Sequence, residues 1–115
     1  MHRGEIRVIE LEPARPGEAG KARPCVIVSN DGANLRATQL GRGVVTAVPL
    51  TTNLAHVLEF QVLLPANRTG LSRDSKAQAE QVRSVSVERV GRRLGGVPID
   101  LMLDLDDALR THLAL

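Results

Sequence analysis

Aromatic residues are almost absent: Phe60 stands alone, with no Trp and no Tyr among 115 residues. Proteins that hold unpaired nucleic acid by stacking bases on aromatic rings need several such side chains, so any base contact in this chain falls to other groups. Cysteine is nearly as scarce. A lone Cys25 excludes an intramolecular disulfide and a thiolate metal site, and it predicts a cytoplasmic setting. His2, His56 and His112 stand far apart and at no ligand spacing, so metal-dependent hydrolysis has no support and no cofactor or metal is expected. There is no apolar run long enough for a membrane span, and Met1-His2-Arg3-Gly4-Glu5 leads into a charged strand-like stretch rather than a leader peptide. Phosphate-cradling loops are missing too, since Gly91-Arg92-Arg93-Leu94-Gly95-Gly96 lacks the strand-loop-helix setting that such a loop requires.

What is present describes one ordinary folding unit. A length of 115 residues predicts a single domain over residues 1–115, and 43% hydrophobic with 24% charged residues suits a globular core. Fifteen Lys and Arg, mostly Arg, face thirteen acids for a net charge of +2. Four of those acids, Asp100, Asp104, Asp106 and Asp107, fall in the last segment, which leaves residues 1–95 basic and favours a polyanionic partner. Asp104, Asp106 and Asp107 read as the solvated face of a helix rather than as a carboxylate cluster.

Periodicity predicts mainly β structure. Glu5 to Leu11 reads as a half-buried strand, and Pro24 to Val28 is a short apolar run of the kind covered on both faces. Between them Pro13, Pro16, Gly17 and Gly20 break the chain into a loop. Ser29-Asn30-Asp31-Gly32 reads as a turn, Ala33 to Gln39 as one or two helical turns, and Val44 to Val48 as a strand, with Pro49 marking an edge or a bend. Thr51 to Asn53 reads as a loop, Glu59 to Leu64 and Ala77 to Val85 as strands, and Val87 to Val90 as a short helical turn, with Gly91, Gly95 and Gly96 as punctuation. Ile99 to Leu113 is the clearest helix, its apolar stripe expected at Met102, Leu105, Leu109 and Leu113. Five or so short strands with a terminal helix and no alternating strand-helix pattern point to a small barrel or antiparallel sheet.

Five blocks carry a more specific signal in their order and spacing: Arg3-Gly4-Glu5-Ile6, Lys21 to Asp31, Val48-Pro49-Leu50-Thr51, Gly70 to Ser75, and Glu80 to Val85. Together they resemble the MazF/PemK toxin family over nearly the whole chain. The resemblance implies an SH3-like small β-barrel of the CcdB/MazF/PemK type with a C-terminal α-helix, working as a homodimer. It also implies a sequence-specific, metal-independent endoribonuclease that cuts single-stranded RNA, the toxin of a type II toxin–antitoxin pair held in check by a MazE-like antitoxin. By position Arg23 matches the family's catalytic arginine and Thr51 its catalytic threonine, while Arg15, Gly17, Lys21, Asn30, Thr52, Gln81 and Arg83 fall along the implied RNA path. Arg36, Arg42 and Arg68 join Arg15 and Lys21 as cations that would guide the backbone.

The chemistry of the residues is consistent with that implication. A guanidinium offers a rigid fork of donors to phosphate oxygens, and a hydroxyl can donate to the phosphate or orient the 2′-oxygen, but arginine is a poor general base. The base stays open; Glu18 is a candidate, because a carboxylate desolvated by bound RNA has its pKa raised towards neutrality. Departures from the family pattern are Gly17-Glu18-Ala19 in place of Ser-Glu-Gln, Arg7 in place of an aromatic residue, and Ser86 in place of Asp. They bear on the motif cut. Two alternatives share the fold: a non-enzymatic toxin resembling CcdB, acting on DNA gyrase, and an RNA-binding module without catalysis.

Overall fold

The apolar run after Pro24 becomes the inner strand that its composition predicts. In the computed structural model, which describes residues 1–13, 15–19 and 21–115, strand β2 (Ala22–Ile27) lies between β1 (Glu5–Glu10) and β3 (Val44–Thr51), antiparallel to both. Cys25, Val26 and Ile27 are all fully buried, because successive side chains enter two different cores. The later strands are β4 (Gln61–Leu64), β5 (Ser75–Gln78), β6 (Arg83–Ser86) and β7 (Val90–Gly96). Among the described residues seven strands form the sheet in the order β4-β5-β3-β2-β1-β7, with β6 also paired to β3. This mainly β architecture closed by a C-terminal helix is the one expected.

β3 is the spine of the molecule. One side of it pairs with β2; on the other, Val44–Ala47 pair with β6 and Leu50–Thr51 with β5. Of the edge or bend expected at Pro49 the edge is not found: Pro49 sits inside a central strand, where β3 changes partner from β6 to β5. Its missing N–H is tolerated because Pro49 falls between those two pairings, where no third ladder partner is registered.

The expected strand over Ala77 to Val85 is two strands. A 3-10 turn at Ala79–Gln81 separates β5 from β6 and lets the chain pass from one stretch of β3 to the other. β7 was hidden by its glycines, which act here by permitting close approach. A Cβ on Gly95 would collide with the carbonyl oxygen of Thr69, and one on Gly91 would lie 3.0 Å from the carbonyl oxygen of Val8.

Three helices cover the sheet: α1 (Asp31–Leu40), α2 (Ala66–Thr69) and α3 (Ile99–Leu113). α1 is longer than the one or two turns expected. The Asn30 side chain accepts from the Ala33 N–H at 2.8 Å and caps its start, and Gly41, with φ at 64°, ends it. α3 buries Met102, Leu105 and Ala108 but leaves Leu113 half exposed. The expected stripe holds as far as Leu109, which is partly buried against the same core. Two of the α3 acids tie it to the body: Asp100 takes both guanidinium nitrogens of Arg68, and Asp106 meets Arg3 at 2.5 Å.

Alternation along the strands sorts the interior into two cores. Ile6, Val26, Val48, Leu50 and Leu64 face α3, while Ile9, Cys25, Ile27, Val45, Ala47 and Val85 face α1 and the loop that carries Ala19. Arg23 and Thr51 belong by parity to the second face, at its polar end.

Candidate active site

The registered pairs of β2 and β3 are Cys25 with Pro49, Val26 with Val48, and Ile27 with Ala47. Each step along β2 is matched by one step back along β3, so the same register carried two residues past its last pair would set Arg23 opposite Thr51. Directly opposed residues on one face have Cβ atoms roughly 5 Å apart. Arg23, Pro24, Leu50, Thr51 and Thr52 together line a groove of about 240 Å³. Arg23 and Thr51 are half-buried, and Thr52 is exposed at the rim.

The hydroxyl of Thr51 is oriented by its own loop. Its oxygen accepts from the Asn53 N–H at 3.2 Å, and Asn53 in turn holds the Ala55 N–H at 3.1 Å. With an acceptor position of the oxygen occupied, the hydroxyl proton is directed away from Asn53.

A second groove of about 390 Å³ is lined by Glu18, Ala19 and Glu80 to Ser84. Gln81 builds it by clasping the loop between β1 and β2: its carbonyl oxygen accepts from the Ala19 N–H at 3.0 Å, and its amide nitrogen donates to the Gly17 carbonyl at 3.2 Å. Glu18 closes a tight turn with Arg15, accepting from the Arg15 N–H at 2.9 Å. Burial pushes the Cys25 thiol up to about 12, although the guanidinium charges of Arg23 and Arg83 pull in the other direction. Of these two arginines, Arg23 lines the first groove and Arg83 the second.

The structure gathers some of the expected residues and scatters others. Arg23, Thr51 and Thr52 share the first groove; Glu18, Gln81 and Arg83 share the second, with Gly17 and Arg15 on the loop above it. Lys21 lies in that same loop with φ at 63°, and its N–H donates to Glu12. Asn30 stands past the opposite end of β2, occupied with capping α1. Arg36 and Arg42 line a separate apolar hollow beside α1, and Arg68 is committed to Asp100. Sequence reasoning passed over Lys76, a buried lysine paired in register with Thr51. Only its setting in a short strand marks it out. Among the described residues no group of three or more His, Cys, Asp or Glu could hold a metal ion, and no helix is long and apolar enough to cross a membrane.

A family model described as the PemK-like, MazF-like toxin of type II toxin–antitoxin systems matches residues 2–113. The chain belongs to this toxin family. Endoribonuclease MazF9 of Mycobacterium tuberculosis is 56% identical to it over 115 residues, covering 100% of this chain and 98% of that protein. Among solved structures, MazF from Deinococcus radiodurans superposes with a TM-score of 0.81 at 24% identity, covering 100% of this chain and 97% of the other. That likeness shows the CcdB/MazF fold. A mycobacterial endoribonuclease in complex with its cognate antitoxin gives a TM-score of 0.76 at 26% identity, covering 100% and 96%. In this MazF/PemK toxin three of the five sequence blocks, Lys21 to Asp31, Val48 to Thr51 and Glu80 to Val85, supply residues that line the two grooves.

Proposed function

We propose that this MazF/PemK toxin is a sequence-specific, metal-independent endoribonuclease that cuts single-stranded RNA through the RNA's own 2′-hydroxyl. The observation that carries the reading is that Arg23 and Thr51, on adjacent strands, line one groove. The endoribonuclease named above, 56% identical over the full chain, supports the activity over the gyrase-directed alternative.

RNA needs no external nucleophile. The 2′-oxygen attacks the adjacent phosphorus, forming the O2′–P bond while the P–O5′ bond breaks, which leaves a 2′,3′-cyclic phosphate and a 5′-hydroxyl. The attacking hydroxyl loses a proton and the departing oxygen gains one. Arg23 offers a fork of donors to the phosphate oxygens as negative charge builds on them. Thr51, its oxygen already held by Asn53, gives its proton to a phosphate oxygen or holds the 2′-oxygen in line. Glu18, in the neighbouring groove, is the candidate for taking the 2′-proton from an RNA strand that spans both grooves.

Gly17, Gln81 and Arg83 then line the path of the flanking nucleotides, with Arg15, Lys21 and Thr52 at its rim. The active form is a homodimer. Its regulator is a MazE-like antitoxin with an acidic, apolar segment that occupies the basic cleft, as suits electrostatic mimicry of RNA. The mycobacterial complex supports such a partner.

The deciding experiment incubates the purified protein with a long single-stranded RNA, with and without chelator, and identifies the ends. The expected products carry 2′,3′-cyclic phosphates and form equally fast in chelator. Cutting at a site whose 2′-hydroxyl has been replaced by hydrogen or methoxy would refute the mechanism. Intact RNA after incubation would refute the activity.

A further inference from the structure

Lys76 lies in the same row as the two residues above. Its register partner on β3 is Thr51, which lines the groove with Arg23 of β2, so three adjacent strands carry Arg23, Thr51 and Lys76. Neighbouring strands stand about 4.8 Å apart, so Thr51 sits on the strand between the one that carries Arg23 and the one that carries Lys76. Lys76 is 8% exposed. Lysines this buried are commonly paired with an acid, yet among the described residues Lys76 enters no ion pair. Its Nζ donates to the backbone carbonyl of His56.

That carbonyl belongs to the exposed stretch 52–59 between β3 and β4, which carries Thr52 at the rim of the groove. The stretch is tied down at its start by the Asn53 N–H to Thr51 and at its end by the Leu58 N–H to Gln61. Between those ties, among the described residues, Lys76 provides the side-chain hydrogen bond that reaches it from the sheet.

We propose that Lys76 is a positioning residue of the nucleolytic site: its ammonium clamps the 52–59 stretch beside the groove and holds a second fixed positive charge behind Thr51. The inference rests on the nuclease reading above. A charge that is already in place needs no reorganisation when the phosphate becomes more negative. The His56 carbonyl fixes where that charge stands, and the charge fixes where the stretch stands.

Three measurements on the full-length protein test this. Lys76→Met keeps the aliphatic stem and loses charge and donor; Lys76→Arg keeps both. The methionine variant should retain its melting temperature within a few degrees, lose roughly ten- to a hundredfold in kcat/KM with kcat carrying most of the loss, and exchange the amide hydrogens of residues 54–57 faster than the parent. The arginine variant should recover most of the rate. If Lys76→Met does not fold, Lys76→Gln takes its place, with the same loss expected because the charge is gone. Methionine and arginine variants equally slow, unchanged exchange in 54–57, or a charge-free variant as fast as the parent would each overturn the inference while leaving the nuclease reading standing. A parent protein inert towards RNA would overturn both.

Discussion

Replacing Thr51 by Val separates chemistry from architecture, because it keeps the β-branched shape of the side chain and removes one oxygen. In the folded protein that oxygen accepts a single 3.2 Å hydrogen bond, from the N–H of Asn53. Asn53 is exposed, so the freed N–H turns to water and the loss of stability stays below about 1 kcal/mol. For a domain of this size that is a fall in Tm of no more than about 5 °C. The effect on the reaction is larger. Removing one preorganised donor from a developing oxyanion costs about 2.7–4 kcal/mol, or roughly a hundred- to a thousandfold in rate. The assay is single-turnover cleavage of a short labelled RNA under excess protein, with a thermal melt of the same preparation. A rate within about threefold of the parent would refute the role given to the hydroxyl. So would a loss of activity that merely follows unfolding.

Other outcomes follow from the same geometry. Cys25, its thiol pushed to about 12 against an ordinary value of 9.0, keeps its proton in the folded state where the unfolded chain releases it. Its contribution to stability is therefore complete below about pH 9 and declines from there to about pH 12, by at most ~1.4 kcal/mol per pH unit. Urea midpoints at pH 8 and pH 10 should differ more in the parent than in Cys25→Ala, with no tyrosine present to blur the comparison. Gly95→Ala drives a methyl group into the Thr69 carbonyl and should destabilise by about 1–3 kcal/mol in urea titration; an unchanged midpoint would contradict the close approach of β7 and α2. Asn30→Ala removes the cap of α1 and should cost about 1 kcal/mol, whereas Asn30→Asp preserves the cap and the stability. Equal RNA cleavage by both variants would assign Asn30 to the helix, and equal loss would assign it to RNA.

Some of this was legible residue by residue. The apolar run Cys25-Val26-Ile27 announced an inner strand, because burial on both faces leaves no room for alternation. The spacing of Met102 and Leu105 announced α3. Asn30 and Gly41 were signals of the full extent of α1 that a reading of the intervening residues alone undervalued. β7 was illegible for a physical reason: its glycines look like turn residues until the Thr69 carbonyl that excludes a Cβ on Gly95, and the Val8 carbonyl that would crowd one on Gly91, are seen beside them. Pro49 misled similarly, since its tolerance depends on where two other strands happen to stop.

The site divides along the same line. Arg23 and Thr51 were marked by the resemblance of short blocks, a property of the chain read in order. What brought them together is the antiparallel register of β2 on β3, and what set Lys76 behind them is the register of β5. Composition and periodicity act over a few residues and so determined the strands, the terminal helix and the basic character of the first 95 positions. Register joins residues far apart in the chain and is chosen by how two faces pack at once, so only the tertiary structure decided which cation stands next to which hydroxyl.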